Sequence, residues 1–326
     1  MKIWTCLSIL ALSLFTFSSC ATQTTMSAAT SLRKPQSFNA NTGTDTIDPA
    51  NYSKIFVISD VHGMYAPLLT LLRAGKVIDA NNNWIAGTAA LIIAGDSIDK
   101  GPNSVEVLDL WIQLQVQSLK AGGRVIHVLG NHEAEFLADP TNKKTYDLIS
   151  ELQSKGIPVT DLTSTTTTRG GFLHNEVLAL KAGAWLFCHS GYYTDSSWTN
   201  FSSKAKSVLQ AGSYDDDFLI GDNSILEAKD WEKDSSTWPN FVNGLSQSGF
   251  FGVVFGHQPG AFKIKARSAA KANGHLIKVD NGMAPEAGSN PGSLMVFTNP
   301  SQMNQFVYPD IQIIFPNGKT QSLIPE

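Results

Sequence analysis

Six residues of metal-binding type recur in one kind of place along the chain. Asp60, His62, Asp96, Asn131, His189 and His257 each stand just past a short apolar run. The runs are Ile55–Ser59, Leu91–Ala94, Val125–Leu129, Trp185–Cys188 and Val253–Phe255. In open α/β sheets functional groups gather beyond the carboxyl ends of strands, so five such ends can converge on one site from distant parts of the sequence. A glycine adjoins every ligand group, at Gly63, Gly95, Gly130, Gly191 and Gly256, and is read as supplying the turn that aims each side chain inward. The set fits two neighbouring divalent ions, with Asp60 and His62 on the first, Asn131, His189 and His257 on the second, and Asp96 bridging. Mixed oxygen and imidazole donors suit Mn, Fe, Zn, Co or Ni better than Ca, with Mn, Fe or Zn favoured. Such a pair, about 3.5–4 Å apart, would hold a bridging hydroxide, orient a phosphoryl group and stabilise in-line displacement. The chemistry implied is phosphoester hydrolysis.

Alone, Asp-x-His reads as a turn and a surface residue; Gly130-Asn131-His132-Glu133 is more specific, and the combination more so. Other histidines read as structural. His127 sits inside an apolar run as a hydrogen-bonded core residue, and His275 follows Asn273-Gly274 in a turn.

From Lys54 onward, strand-type runs alternate with segments of helical period, which defines an α/β domain. Pro102 fits a first helical turn; Val105, Leu108, Ile112, Val116 and Leu119 then repeat every three or four residues until Gly122-Gly123, predicting an amphipathic helix. Thr141 to Lys155, closed by Gly156, predicts another, and Ser164 to Thr168 a solvated loop. Helical cap elements are expected between His189 and His257, where Trp198, Trp231 and Trp238 fall. The acidic run Asp215-Asp216-Asp217 there reads as surface or a helix start, because consecutive residues cannot all face one ion. Ile311 to Ile324, alternating around Pro316-Asn317-Gly318, predicts a hairpin at a sheet edge.

The chain's 326 residues, 42% hydrophobic, suffice for one large core. A net charge of −4 without a long basic run argues against nucleic acid as a partner. Residues 1–20 read as an export signal: Lys2 gives the positive start, Ile3 to Phe17 an apolar stretch too short to span a bilayer comfortably, and Ser18-Ser19-Cys20 the end. Cys20 there resembles the lipidated cysteine of bacterial lipoproteins, with Phe17 replacing the usual Leu; ordinary cleavage near Ser19 or Ala21 is the alternative. The expected location is periplasmic, membrane-anchored or secreted. Residues 21–50, rich in Ser, Thr, Ala and Asn, read as a flexible tether, and 51–326 as the domain. Cys188 is then the only cysteine in the domain; its apolar run makes it a buried small hydrophobe, and no disulfide within the domain is possible.

The runs Ser59-Asp60-Val61-His62-Gly63, Gly95-Asp96-Ser97-Ile98-Asp99-Lys100-Gly101, Gly130-Asn131-His132-Glu133, His189-Ser190-Gly191 and Gly256-His257 resemble the calcineurin-like metallophosphoesterases. The second and third have the form of the phosphoprotein phosphatase branch. Val279-Asp280-Asn281-Gly282-Met283, with Gly288 and Pro291-Gly292, resembles the end of the bacterial Shewanella-like phosphatases; the likeness covers about residues 53–298. It implies two stacked mixed β-sheets flanked by helices, with the six ligands in their assigned places. It also implies His132 as general acid with Asp99 orienting it, and Asn131 as a substrate contact as well as a ligand. Glu133 is read as structural, bonding local backbone.

Two positions depart from that pattern. Lys100 stands where the phosphatases carry arginine, exchanging a bidentate fork for a point charge. For a second phosphate arginine of the cap, the matches are Lys233, in Trp231-Glu232-Lys233, and Arg169. A phosphomonoesterase acting on phosphoprotein or phosphopeptide is the leading expectation. Hydrolysis of nucleotides or dinucleoside polyphosphates is the alternative, and a weakly active or inactive binding lipoprotein is the contrast from another class.

Overall fold

The computed structural model describes residue 1 and residues 41–326. The export signal, Cys20 and the tether up to residue 40 lie outside the described residues. Among the described residues, twelve strands form two sheets. The first has the order β12-β11-β10-β2-β3-β4, the second β1-β5-β6-β7-β9-β8. Their ranges are β1 Thr44–Ile47, β2 Ile55–Ile58, β3 Ala90–Ala94, β4 Arg124–Val128, β5 Ala179–Ala182, β6 Trp185–Cys188, β7 Gly252–Phe255, β8 Ala269–Lys271, β9 Leu276–Lys278, β10 Leu294–Phe297, β11 Ile311–Ile314 and β12 Thr320–Ser322.

Alternation along each central strand builds three cores from two sheets. Ile55 and Val57 of β2, with Ala90 and Ile92 of β3, face Trp185 and Phe187 of β6 and Val254 of β7 in the layer between the sheets. Phe56, Ile58, Leu91 and Ile93 point the other way, under helices α1 (Tyr65–Ala74) and α2 (Ser104–Lys120). Leu186, Cys188, Val253 and Phe255 point outward from the second sheet, under α7 (Trp198–Ala211) and α9 (Trp238–Gln247). Burial on both faces is why these strands read as unbroken apolar runs.

Parallel pairing of β2, β3 and β4 brings their carboxyl ends to one edge, and parallel pairing of β6, β7 and β9 does the same in the second sheet. The α/β class and the two stacked mixed sheets match the reading above.

The predicted helix after Pro102 is α2, but its buried face is centred on Val107, Leu108, Trp111, Leu114 and Ser118, while Leu119 is exposed. A period of 3.6 leaves two nearly parallel stripes available, and Trp111 decides between them by its larger burial. Asn131–Ala138 is α3. The segment from Thr141 is a short 3₁₀ turn over Lys143–Thr145 followed by α4 (Tyr146–Lys155), which ends at Gly156 in the left-handed conformation (φ 64°). Ser164 to Thr167 links α5 (Thr160–Thr163) to α6 (Thr168–Leu173), and Thr167 caps the latter. Asp216 caps α8 (Asp217–Ile220), so the acidic run is indeed a helix start. The C-terminal hairpin is β11–β12, antiparallel at the sheet edge.

One boundary needs correction. Residues 41–50, placed in the tether above, are built into the fold. β1 pairs in parallel with β5 from Thr44↔Ala179 to Ile47↔Ala182, and the Asn41 amide donates to the carbonyls of His174 and Glu176 at 2.8 Å each. A polar edge strand needs backbone pairing on one side only, and Thr favours strands, so composition alone misses it. Among the described residues no helix is long and apolar enough to cross a membrane.

Candidate metal centre and cleft

Every strand run named above ends at the same place. β2 delivers Asp60 and His62, β3 Asp96, β4 Asn131, β6 His189 and β7 His257, with Asn131 opening α3. Asp96 lies at the middle. Its Oδ2 is 3.5 Å from His62 Nε2 and 3.2 Å from His189 Nε2, so one oxygen faces both halves of the ligand set. Around His189 Nε2 stand Asn131 Oδ1 at 2.9 Å and His257 Nδ1 at 3.2 Å, and His257 Nδ1 is 3.1 Å from Asn131 Oδ1. Asp60 accepts from the backbone N–H of His257 at 3.0 Å, joining the first and last ligand loops.

The imidazoles are oriented from behind. His62 Nδ1 lies 3.0 Å from the Ile98 carbonyl and His189 Nδ1 2.9 Å from that of Ala94, so each ring donates backward and turns Nε2 into the site. Burial, together with the charges of neighbouring cations, pushes the His62 imidazolium well below its usual range. Burial and then His189 push His257 down to about 3. His189 goes the other way, to about 10, because the Asp96 carboxylate outweighs the cost of burial. Burial, then the neighbouring Asp280, raises Asp60 well above the carboxylate range.

These features test whether divalent ions suit the residues. Acidic and imidazole groups converge at common points: ligand atoms of Asp96, His189 and His257, and separately of His62, Asp96 and His132, lie within 4.8 Å of one another. His257 Nε2 has no hydrogen-bond partner although buried. Oxygen and imidazole nitrogen atoms converging in this way suit a cation, which can replace the protons shared among them. The residues fit a metal centre.

The backbone is strained here. Asp60, His62, Asp96 and His257 have φ between 45° and 65°, as do Asp99 (64°) and Lys100 (59°). Non-glycine residues rarely adopt this region, and a cluster of them marks a functional constraint. Gly63 (64°), Gly95 (89°) and Gly191 (79°) make turns as expected, and the ligands just named share that positive φ. Gly256 has no positive φ and supplies room instead: a Cβ there would sit 2.1 Å from Asp60 Oδ2.

Beside the ligands, His132 Nδ1 is 3.1 Å from Asp99 Oδ2, and Asp99 Oδ1 accepts from the Leu148 N–H at 3.0 Å. Glu133 is structural as read, its two oxygens accepting from the N–H groups of Asp96, Ser97, Ile98 and Gly130 at 2.8–3.1 Å. His127 is likewise a core residue, 2.6 Å from Ser97 Oγ and 3.2 Å from Glu176. Burial pushes the Cys188 thiol up to about 12, in keeping with an inert core residue.

A cleft of about 590 Å³ opens from Asp96, Asn131, His132 and His257 past Asp99 and Lys100 to Lys143, Lys144, Tyr146, Asp147, Lys229 and Glu286. Lys100 Nζ stands 3.2 Å from His62 Nε2, at the ligands. Neither candidate for the second phosphate cation is in the cleft. Arg169 is clamped by Asp109 and Asp161 at 2.6–2.7 Å, and Lys233 pairs with Asp230. The cap cation that lines it is Lys229, two residues before Trp231 rather than two after; Trp231 instead donates to the Ser190 carbonyl at 3.0 Å and packs on Phe255. Asp280 also belongs to this region. It follows β9 and lines a smaller pocket with Asp60, His62 and His257; burial pushes its carboxyl up to about 6. Its signal was present, since β9 ends like the ligand-bearing strands.

Comparison with known proteins defines the class. The family model for calcineurin-like phosphoesterases matches residues 53–268, and the chain belongs to that metal-dependent family. It is 38% identical over 80 residues to Shewanella-like protein phosphatase 1 of Plasmodium berghei, which is 24% of this chain and 22% of that one. It is 38% identical over 84 residues to a symmetrical bis(5'-nucleosyl)-tetraphosphatase of Chromobacterium violaceum, 26% and 25% of the two chains. The chain thus spans about a quarter of the length of these relatives. In fold it is similar to the cold-active protein-tyrosine phosphatase of a psychrophilic Shewanella species, with TM-score 0.65 and 22% identity over 86% of this chain and 82% of that one.

Proposed function

We propose that this chain is a phosphomonoesterase whose six ligands hold two divalent ions, Mn, Fe or Zn. The observation that carries the reading is the position of Asp96 Oδ2 between the two ligand halves, with the His132–Asp99 pair at the same end of the cleft. When bound, the ions supply Lewis acidity and an activated water. The remaining work falls to side chains. Lys100 and Lys229 offer positive charge to phosphoryl oxygens. His132, held through Nδ1 by Asp99, carries the proton that a leaving oxygen needs. Strained loops hold the ligands in place before substrate arrives.

Phosphopeptide or phosphoprotein is the substrate class we favour. The cleft is open and lined by both signs of charge, with exposed Tyr146 at its rim, which suits a side chain presented on a polypeptide. The likeness to a Shewanella-like protein phosphatase supports it, while that to a bis(5'-nucleosyl)-tetraphosphatase supports the nucleotide alternative. Parallel assays on phosphopeptide and nucleotide libraries decide between them. His132→Ala should lose kcat by about 10²–10⁴-fold with its metal retained. Loss of both ions instead would show that His132 is a ligand. A protein that binds ions but turns over nothing, even as Lys100→Arg, would support the binding role. We further propose export with lipidation at Cys20; Cys20→Ala should leave the membrane fraction, and an unchanged distribution would overturn that proposal.

A further inference from the structure

Asn131 has two chemically different ends, and only its carbonyl oxygen can serve a metal. That oxygen faces His189 and His257, while its Nδ2 donates to Glu227 Oε1 at 2.9 Å. Glu227 is buried, and its carboxylate touches two further cations: Lys144 at 3.1 Å through Oε1 and Lys229 at 3.2 Å through Oε2. Its own backbone is fixed, the Glu227 N–H donating to Ser224 Oγ at 3.0 Å. The amide thus meets Glu227 through Nδ2 and the two imidazoles through Oδ1, and with Lys144 and Lys229 anchoring the same carboxylate, that contact selects the amide orientation that sends Oδ1 inward.

We propose that Glu227 is a positioning residue that acts through Asn131, fixing its amide so that the carbonyl oxygen is presented to the metal centre, and rests on the metal-centre reading above. Nothing in the local sequence, Ile225-Leu226-Glu227-Ala228-Lys229, marks Glu227; its role arises from the way the segment after α8 lies over the start of α3. Lys144 and Lys229 line the cleft, so one carboxylate joins a ligand to two of the cations that face substrate.

The test is Mn²⁺ affinity, measured on the metal-stripped protein by calorimetry or competition with a fluorescent chelator, with thermal melts to verify folding. Glu227→Ala frees the amide to turn, and affinity at the weaker site should fall about 10–100-fold. Glu227→Gln alone keeps an acceptor for Nδ2 and should lose less. The decisive variant exchanges the partners: Asn131→Asp places two carboxylates against each other and weakens binding, while Asn131→Asp with Glu227→Gln restores the hydrogen bond and should recover most of the affinity. A role confined to packing predicts additive losses in that double variant. Unchanged Mn²⁺ affinity in Glu227→Ala, or a double variant no better than Asn131→Asp alone, overturns the proposal. If wild type itself binds no divalent ion, the metal-centre reading fails first, and the two failures are distinct.

Discussion

Substituting Glu133 by Gln tests how the ligand loops are held. In wild type one carboxylate oxygen accepts from Ser97 and Ile98, the other from Asp96 and Gly130, so a single side chain ties the Asp96 loop to the turn before Asn131. Glutamine keeps one oxygen and turns an amino group toward the other two N–H donors. Two charge-assisted bonds are lost, each contributing about 1.5–3 kcal/mol, and both donors are left buried. The expected destabilisation is roughly 3–6 kcal/mol. At about 2 °C per kcal/mol for a large domain, the melting temperature should fall by roughly 6–12 °C in calorimetry. Because Asp96 itself carries one donor and Gly130 precedes Asn131, metal content should fall together with stability. A melting temperature within about 2 °C of wild type, with full metal content, would refute the view that Glu133 is the bracket of the site.

Gly256→Ala places a Cβ against Asp60 Oδ2 without a backbone conflict, since φ there is not positive. Displacing that ligand should cut kcat/KM by roughly 100-fold and lower metal content, read on the same sample; wild-type values for both would contradict the close approach. Lys278 is fully buried, donating to the carbonyls of Pro259 and Ile264, and burial pushes its ammonium down to about 8. Because an unfolded lysine titrates near 10.4, the unfolded chain binds more protons between pH 8 and about 10, and this group's contribution to stability rises with pH there. The stability of wild type relative to Lys278→Met should therefore climb by up to about 1.4 kcal/mol per unit over that window. A difference flat with pH, measured by chemical denaturation, would contradict it.

The candidate metal centre is legible because its chemistry is local. Each ligand follows its strand by one to a few residues, and a buried strand announces itself as an apolar run, as β3 does ahead of Asp96. The fold followed from the same runs. What sequence could not give were the relations created by packing. Lys229 enters the cleft and Lys233 does not, although both lie two residues from Trp231; the difference is the path of a segment that has no period to read. Arg169 looked available because its partners, Asp109 and Asp161, lie on other elements. β1 is not legible in composition because an edge strand is held by backbone bonds. Gly63, Gly95 and Gly191 make turns legible as glycine, whereas the positive φ of the ligands themselves and the steric role of Gly256 have no mark in the sequence.

The most direct test of the central claim is a Mn²⁺ titration of the metal-stripped domain, following phosphate release from p-nitrophenyl phosphate and metal stoichiometry together. Activity should be absent at first and reach its plateau as two ions bind per chain, and Asp96→Asn should abolish it. Phosphate release that survives chelation, or that persists in Asp96→Asn, would contradict the account.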